Sequence, residues 1–355
     1  MAKAKFVYSF GNKEAEGSGS MKELLGGKGA GLAEMTMIGL PVPAGFTITT
    51  EVCDLYYKNG KKYPAGLVEE VEKHVKKLEK TTGKKLGDPS DPLLVSVRSG
   101  AAVSMPGMME TILNLGLTDK SVEGLAKKTG NKRFALDAYR RFIMMYGSTA
   151  MGISREKFDH AFDQIKETVT RKRLKLAASV KVGDTDVNED ELDALISNFK
   201  ALYKKEIKKD FPQDPIEQLW GAIGAVFGSW MADKAITYRK VEKLVGVKGT
   251  AVNIVQMVFG NMGSNSGTGV CFTRDPNTGE IRALGEYEQS NGVTTLPLRL
   301  GPTQSGFVVF QHKATESVQP AQNFPALVTK QTLAGPWTVT FDPAWGGPAY
   351  VRFDQ

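Results

Sequence analysis

"LLGGKGAGLAEM", Leu24 to Met35, sets four glycines around one lysine and runs at once into helical text. Glycine lets backbone N–H groups close in on a ligand, and Lys28 adds a positive charge beside them. That combination suits a phosphate. The GxxxxGK[ST] loop is not met: Gly29 follows Lys28 where Ser or Thr would hold Mg²⁺, and Lys22 stands where the first glycine belongs. GxGxxG spacing is also missing. Alone, the stretch reads equally as a loop leading into a helix with a solvated lysine, so its neighbours must decide.

Upstream, "KFVYSFG" reads as a strand. Downstream, Leu32, Met35 and Ile38 fall on one helical face that ends before Pro41. "PVPAGFTITT" is extended, with Thr50 placed to cap a helix from Glu51. Leu67, Val71, Val75 and Leu78 predict an amphipathic helix over 66–80. "PLLVSVRSG" is a strand that delivers Arg98 to its C-terminal end, where open α/β sheets bind ligands. From Asp119 to Lys205 the text is helical and charged. Phe134, Leu136, Tyr139, Phe142 and Ile143 predict one buried face there, hence a helical subdomain with a small core of its own. "GTAVNIVQMVFG" and "VCFTRD" read as two strands around a turn-rich loop. From Glu288 to Gln355 charges become scarce and β text without helical periodicity takes over.

The chain's 355 residues allow two or three domains. A net charge of +7 comes from lysines interspersed with acids. That pattern describes a solvated helix face with a mild preference for anionic ligands, not a block for nucleic acid. Cys53 and Cys271 lie far apart and match no metal pattern, which points to a reduced, cytoplasmic setting. The N-terminus has no apolar signal region, and no run approaches membrane-spanning length.

Lys28, Arg98 and Arg141 are the cationic candidates, since a triphosphate needs several fixed positive groups. "RSGAAVSMPGMMETILNLGL", Arg98 to Leu117, reads as a long binding loop whose methionines either cover a flat ring such as adenine or fill the core. His74, His160 and His312 have no nucleophile or metal ligand beside them and read as structural. "DTDVNEDELDAL" fails as a calcium loop, because Glu189 replaces the turn glycine and Leu195 the bidentate Glu. Asn188 reads as a helix cap.

From Phe6 to Glu280 the chain resembles the N-terminal nucleotide-binding domain of the pyruvate, phosphate dikinase family. The carrying stretches include "MKELLGGKGAGLAEM", "PVPAGFTITTE", "DPLLVSVRSGAAVSMPGMMETILNLGL", "RFALDAYRRF", "GTAVNIVQMVFGNMG" and "SGTGVCFTRDPNTGE". The resemblance implies an α+β ATP-grasp fold, with ATP and Mg²⁺ between two lobes. It implies a first lobe at 1–118, an inserted helical subdomain at 119–205, and an incomplete second lobe at 206–287. It further implies that Lys28, Arg98 and Arg141 face the phosphates and that Gly26, Gly27 and Gly29 form the nucleotide loop. Ser99, Gly100, Met105, Gly107, Met108 and Thr111 would close over the nucleotide, and Gln256, Met257 and Val258 would border adenine. Whole members of the family interconvert ATP, phosphate and pyruvate with AMP, pyrophosphate and phosphoenolpyruvate through a phosphohistidine.

After "GEY", Gly285 to Tyr287, the text departs from the family pattern. An acidic Mg²⁺ pair, "LQTR" and the phosphohistidine "TSHAA" are not found. Asp342, Asp354 and Gln355 lie in the metal region by count but not by context. The expectation is a truncated nucleotide-binding portion whose partner phosphohistidine domain is missing, with little turnover of its own. The alternative is a fragment without a competent site. The tail, 288–355, resembles short pieces of rhamnosidase-type glycoside hydrolases, which implies a foreign, carbohydrate-related β module.

Overall fold

The computed structural model describes residues 5–263 and 266–269, and four strands beyond them. Contacts divide the chain into a unit spanning Met1–Thr268 and another spanning Gly269–Gln355.

The first unit mixes helix and sheet. Its strands are β1 (Val7–Gly11), β2 (Glu14–Ala15), β3 (Gly45–Ile48), the two-residue pieces β4 (Lys85–Leu86) and β5 (Pro92–Leu93), β6 (Val95–Ala101), β7 (Thr111–Leu115) and β8 (Thr250–Gln256). Its helices are α1 (Lys22–Met37), α2 (Thr50–Lys58), α3 (Leu67–Thr82), α4 (Ser121–Thr129), α5 (Lys132–Met145), α6 (Arg155–Ile165), α7 (Arg171–Leu174), α8 (Glu189–Ile207), α9 (Pro215–Trp230) and α10 (Asp233–Val241).

Six strands make one sheet in the order β2-β1-β3-β8-β6-β7. Every pairing in it is antiparallel. Arg98 does not stand at the C-terminal end of its strand, as the sequence reading had it. It sits inside β6, opposite Asn253 on β8 and Thr111 on β7.

Alternation along the strands gives the sheet two unlike faces. One cross-strand row is apolar: Phe46, Ile254, Val97 and Ile112 are buried in register. The next row is polar and runs Tyr8, Thr47, Asn253, Arg98, Thr111. α9 packs on β6, β7 and β8, and the ring of His74 on α3 lies 5.9 Å from that of Phe46, on the apolar side. His74 is buried there, with Nδ1 2.7 Å from the Glu70 carbonyl and Nε2 3.4 Å from Glu16 Oε2, a carboxylate neighbour that the sequence reading did not foresee.

α1 breaks at Gly26, with φ 69° and ψ 166°, and buries Gly29, Ala30, Ala33 and Thr36. The expected apolar face points the other way: Met35 is 38% and Ile38 71% exposed. Small residues win the inward side because the helix approaches the sheet too closely for long ones. Thr50 does not cap α2 either. Thr49 holds the N-cap position, and the Thr50 hydroxyl donates to the Glu23 carbonyl at 2.6 Å, tying α2 to the start of α1.

Other local readings hold. α3 buries Leu67, Val71, Val75 and Leu78. α5 buries Phe134, Leu136, Tyr139, Phe142 and Ile143, and it packs on α4, α8 and β7. Asn188 caps α8 through a reciprocal pair with Glu191. The buried apolar cluster runs from the sheet into these helices without a break.

In the second unit, β9 (Glu288–Ser290) pairs with β10 (Val293–Thr295), and β11 (Trp337–Thr340) pairs with β12 (Tyr350–Phe353), both antiparallel. "VCFTRD", Cys271, His312, Asp342, Asp354 and Gln355 lie outside the described residues.

Candidate functional site

Lys28 projects from α1 just past the break and reaches the sheet. Its Nζ donates to the Ser99 carbonyl of β6 at 2.9 Å. Partial burial, and then the nearby positive charge of Arg98, pull its pKa below the ordinary lysine value. Among the described residues neither cation has a carboxylate partner, and Arg98 is exposed. Two cations held close with no acid between them favour an anionic ligand, which relieves their mutual repulsion.

The glycines explain how α1 gets so near. A Cβ at Gly26 would run into the Gly100 carbonyl, and its φ is positive as well. A Cβ at Gly29 would lie 2.9 Å from the Thr47 side chain and 3.0 Å from Asn253 Oδ1. One at Gly100 would lie 2.6 Å from Asn253 Nδ2. At Gly27 the nearest atom is the Ala101 carbonyl at 3.6 Å, an ordinary contact. The expected nucleotide loop is thus a broken helix, and Gly26 and Gly29 are its points of closest approach to the sheet.

Two residues missed in the sequence organise this contact. Asn253 is 1% exposed, and its Oδ1 accepts from the Thr47 hydroxyl at 2.9 Å. Its Nδ2 lies 3.5 Å from the Arg98 carbonyl. The signal was present: "TAVNIVQ" sets an asparagine between Val252 and Ile254 in the middle of a strand pattern. Thr250 adds its hydroxyl as acceptor for the Gly100 amide at 3.1 Å.

The remaining candidates are dispersed. Residues 102–110 join β6 to β7. Met105 is buried in the core, and Met108 packs against it. Gly107 has φ 70° in open space, beside a turn in which the Met108 amide donates to the Met105 carbonyl. Ser99 contributes its carbonyl, and Thr111 stands opposite Arg98.

Gln256 lies opposite Val95, three residues from Arg98 along β6, roughly 10 Å away at the rise of a strand and on the other face. Gln256, Met257 and Val258 line a pocket of about 610 Å³ with Leu94 and Leu125, where Lys84 and Lys128 both pair with Asp91. Its volume lies in the range of small-molecule sites.

Arg141 is 53% exposed and pairs with Asp137 at 3.0 Å. Arg140, unremarked in the sequence, is the buried one. It pairs with Asp137 and Asp184 and lies over the Phe162 ring. The structure therefore brings Lys28 and Arg98 together. No contact of the described residues joins Arg141 to them.

Beside Lys28 and Arg98 the donors are cations and backbone carbonyls. Among the described residues no group of three or more His, Cys, Asp or Glu converges. That donor set does not fit Mg²⁺.

A family model described as "Pyruvate phosphate dikinase, AMP/ATP-binding domain" matches residues 22–69 and 61–287. Pyruvate, phosphate dikinase of Clostridium symbiosum is 52% identical over 285 residues, covering 80% of this chain and 31% of the relative. The chloroplastic enzyme of Mesembryanthemum crystallinum is 51% identical over 283 residues, covering 80% and 29%. That of Rhizobium meliloti is 49% identical over 284 residues, covering 80% and 30%. The chain spans about three tenths of the length of these relatives. The matched family residues stop at 287, so the tail's likeness to rhamnosidase-type segments gains no support from them. Among the described residues no helix is long and apolar enough to cross a membrane. A chloroplastic relative shows that membership does not fix the compartment.

Proposed function

The chain belongs to the pyruvate phosphate dikinase AMP/ATP-binding family, and from that premise we propose that it binds ATP with the triphosphate on the polar sheet face beside α1. In this reading the fold is ATP-grasp, with a helical subdomain at 119–205; β8 completes the sheet of the first lobe, so a boundary at 206 falls too early and the second lobe would start after β8. The observation that carries it is the pairing of Lys28 and Arg98 without an acidic partner, one held on the Ser99 carbonyl and the other exposed beside it. Arg98 supplies a bidentate fork for phosphate oxygens and Lys28 a point charge. Arg141 joins as a third cation by leaving Asp137, which keeps Arg140 as its partner. The loop at 102–110 leaves the Arg98 end of β6 and closes over the phosphates; residues 256–258 lie at the other end of β6, with Gln256 on the opposite face, and take no part in that closure. The described donors do not fit Mg²⁺, which in this reading would come with the triphosphate. In a whole enzyme the phosphoryl group would pass to a phosphohistidine domain, and from there serve the interconversion of pyruvate and phosphoenolpyruvate.

Calorimetric titration with ATP·Mg²⁺ and with adenosine tests the reading. Arg98→Ala is expected to weaken ATP about tenfold or more, the scale of a lost charge-assisted hydrogen bond, and to leave adenosine unchanged. Equal losses for both ligands would sink the phosphate role.

A further inference from the structure

We infer that Asn253, oriented by Thr47, is a positioning residue for the phosphate-binding cations: its amide is the spacer that sets α1, bearing Lys28, against β6, bearing Arg98. The inference rests on the proposed phosphate site.

The Asn253 amide is wedged between two glycines. On one side Gly29 of α1 leaves room for Oδ1, and on the other Gly100 of β6 leaves room for Nδ2. A Cβ at either position would press on the amide, so the slot has the thickness of one planar group. The Thr47 hydroxyl donates to Oδ1 at 2.9 Å and the Arg98 carbonyl, an acceptor only, faces Nδ2 at 3.5 Å; the two partners together set which way the amide faces. The three residues are adjacent members of one cross-strand row, Thr47, Asn253, Arg98. Thr47 and Asn253 are both 1% exposed, so water does not substitute for either partner.

This arrangement couples the amide to both cations through the backbone. Arg98 carries the carbonyl that faces Nδ2. The next residue, Ser99, carries the carbonyl that holds Lys28 Nζ. A hydroxyl 206 residues from the amide in sequence thereby governs the spacing of two charges that touch neither of its atoms. Turning or tilting the amide shifts the carbonyls at 98 and 99 together, and with them the distance between ammonium and guanidinium.

The test uses the full chain and titration with ATP·Mg²⁺ and adenosine. Thr47→Val keeps the volume and removes the donor. It is expected to weaken ATP about tenfold, the scale of one buried acceptor left unpaired, with adenosine affinity unchanged. Thr47→Ser restores the hydroxyl and is expected to recover the parent ratio of ATP to adenosine affinity. Gly29→Ala crowds the same amide from the α1 side and is expected to lower that ratio too; it carries the test if Thr47→Val does not fold. Equal behaviour of Val and Ser at 47, or equal loss of ATP and adenosine in the folded variants, overturns the positioning role. An Arg98→Ala variant that binds ATP like the parent overturns the phosphate site, and the positioning role with it. Arg98→Ala thus separates the two failures.

Discussion

Lys28 pays twice for its place, through lost solvation and through the charge of Arg98, and both lower its pKa. Folding therefore disfavours its charged form, and that cost is present at neutral pH and fades as pH rises toward the lysine range. A bound anion reverses the second effect. ATP binding at a pH just below the ordinary lysine range is expected to be accompanied by net proton uptake, which disappears in Lys28→Met. Calorimetry in buffers of different ionisation enthalpy reads it, and identical uptake in both proteins would contradict the assignment. Gly26 offers a stability test at the same scale. Gly26→Ala combines a positive φ with a collision against the Gly100 carbonyl. It is expected to cost about 2–4 kcal/mol in denaturant unfolding.

At the scale of elements, α1 shows where pattern reading stops. Its outward stripe looks like a core face, and past the break at Gly26 its inward face is made of Gly, Ala and Thr. Ala33→Leu, at 2% exposure, is expected to destabilise by about 1–3 kcal/mol through overpacking. Ile38→Lys, at 71% exposure, is expected to fall within about 0.5 kcal/mol of the parent. The opposite ranking in urea unfolding would restore the sequence reading. β1 and β2 carry the acid-sensitive element. Burial acts to raise the Glu16 carboxyl, but the hydrogen bond from Ser9, then Lys5 and Lys77, outweigh it and hold its pKa at about 2. The folded value lies below the unfolded one, so the ionised form stabilises. That contribution is complete above about pH 4.5 and is lost as pH falls through about 2. Glu16→Gln is expected to flatten the pH dependence of stability in that window. The Asn188 cap and the α3 stripe were better legible, because both depend on neighbours three or four apart, which the sequence displays directly.

Across the first unit the buried cluster is continuous from Phe46 and Val97 in the sheet to Phe142 and Leu195 in the helices. A core without a seam predicts cooperative unfolding. Phe142→Ala, at a fully buried site, is expected to cost about 3–5 kcal/mol. Amide exchange of α5 and of β6 should then speed up together, and acceleration confined to α5 would show that the helices open as a separate unit. The order of residues by itself determined the family, the strand and helix segments and the cationic candidates, because those rest on local periodicity and on long ordered motifs. Only the tertiary structure decided what the glycines do, that Arg98 lies within an antiparallel strand, and that Thr47 meets Asn253. Alternation says which side chains share a face of their own strand. It does not say which strand lies opposite or how closely a helix presses on it, and those distances decide whether Lys28 and Arg98 form one site.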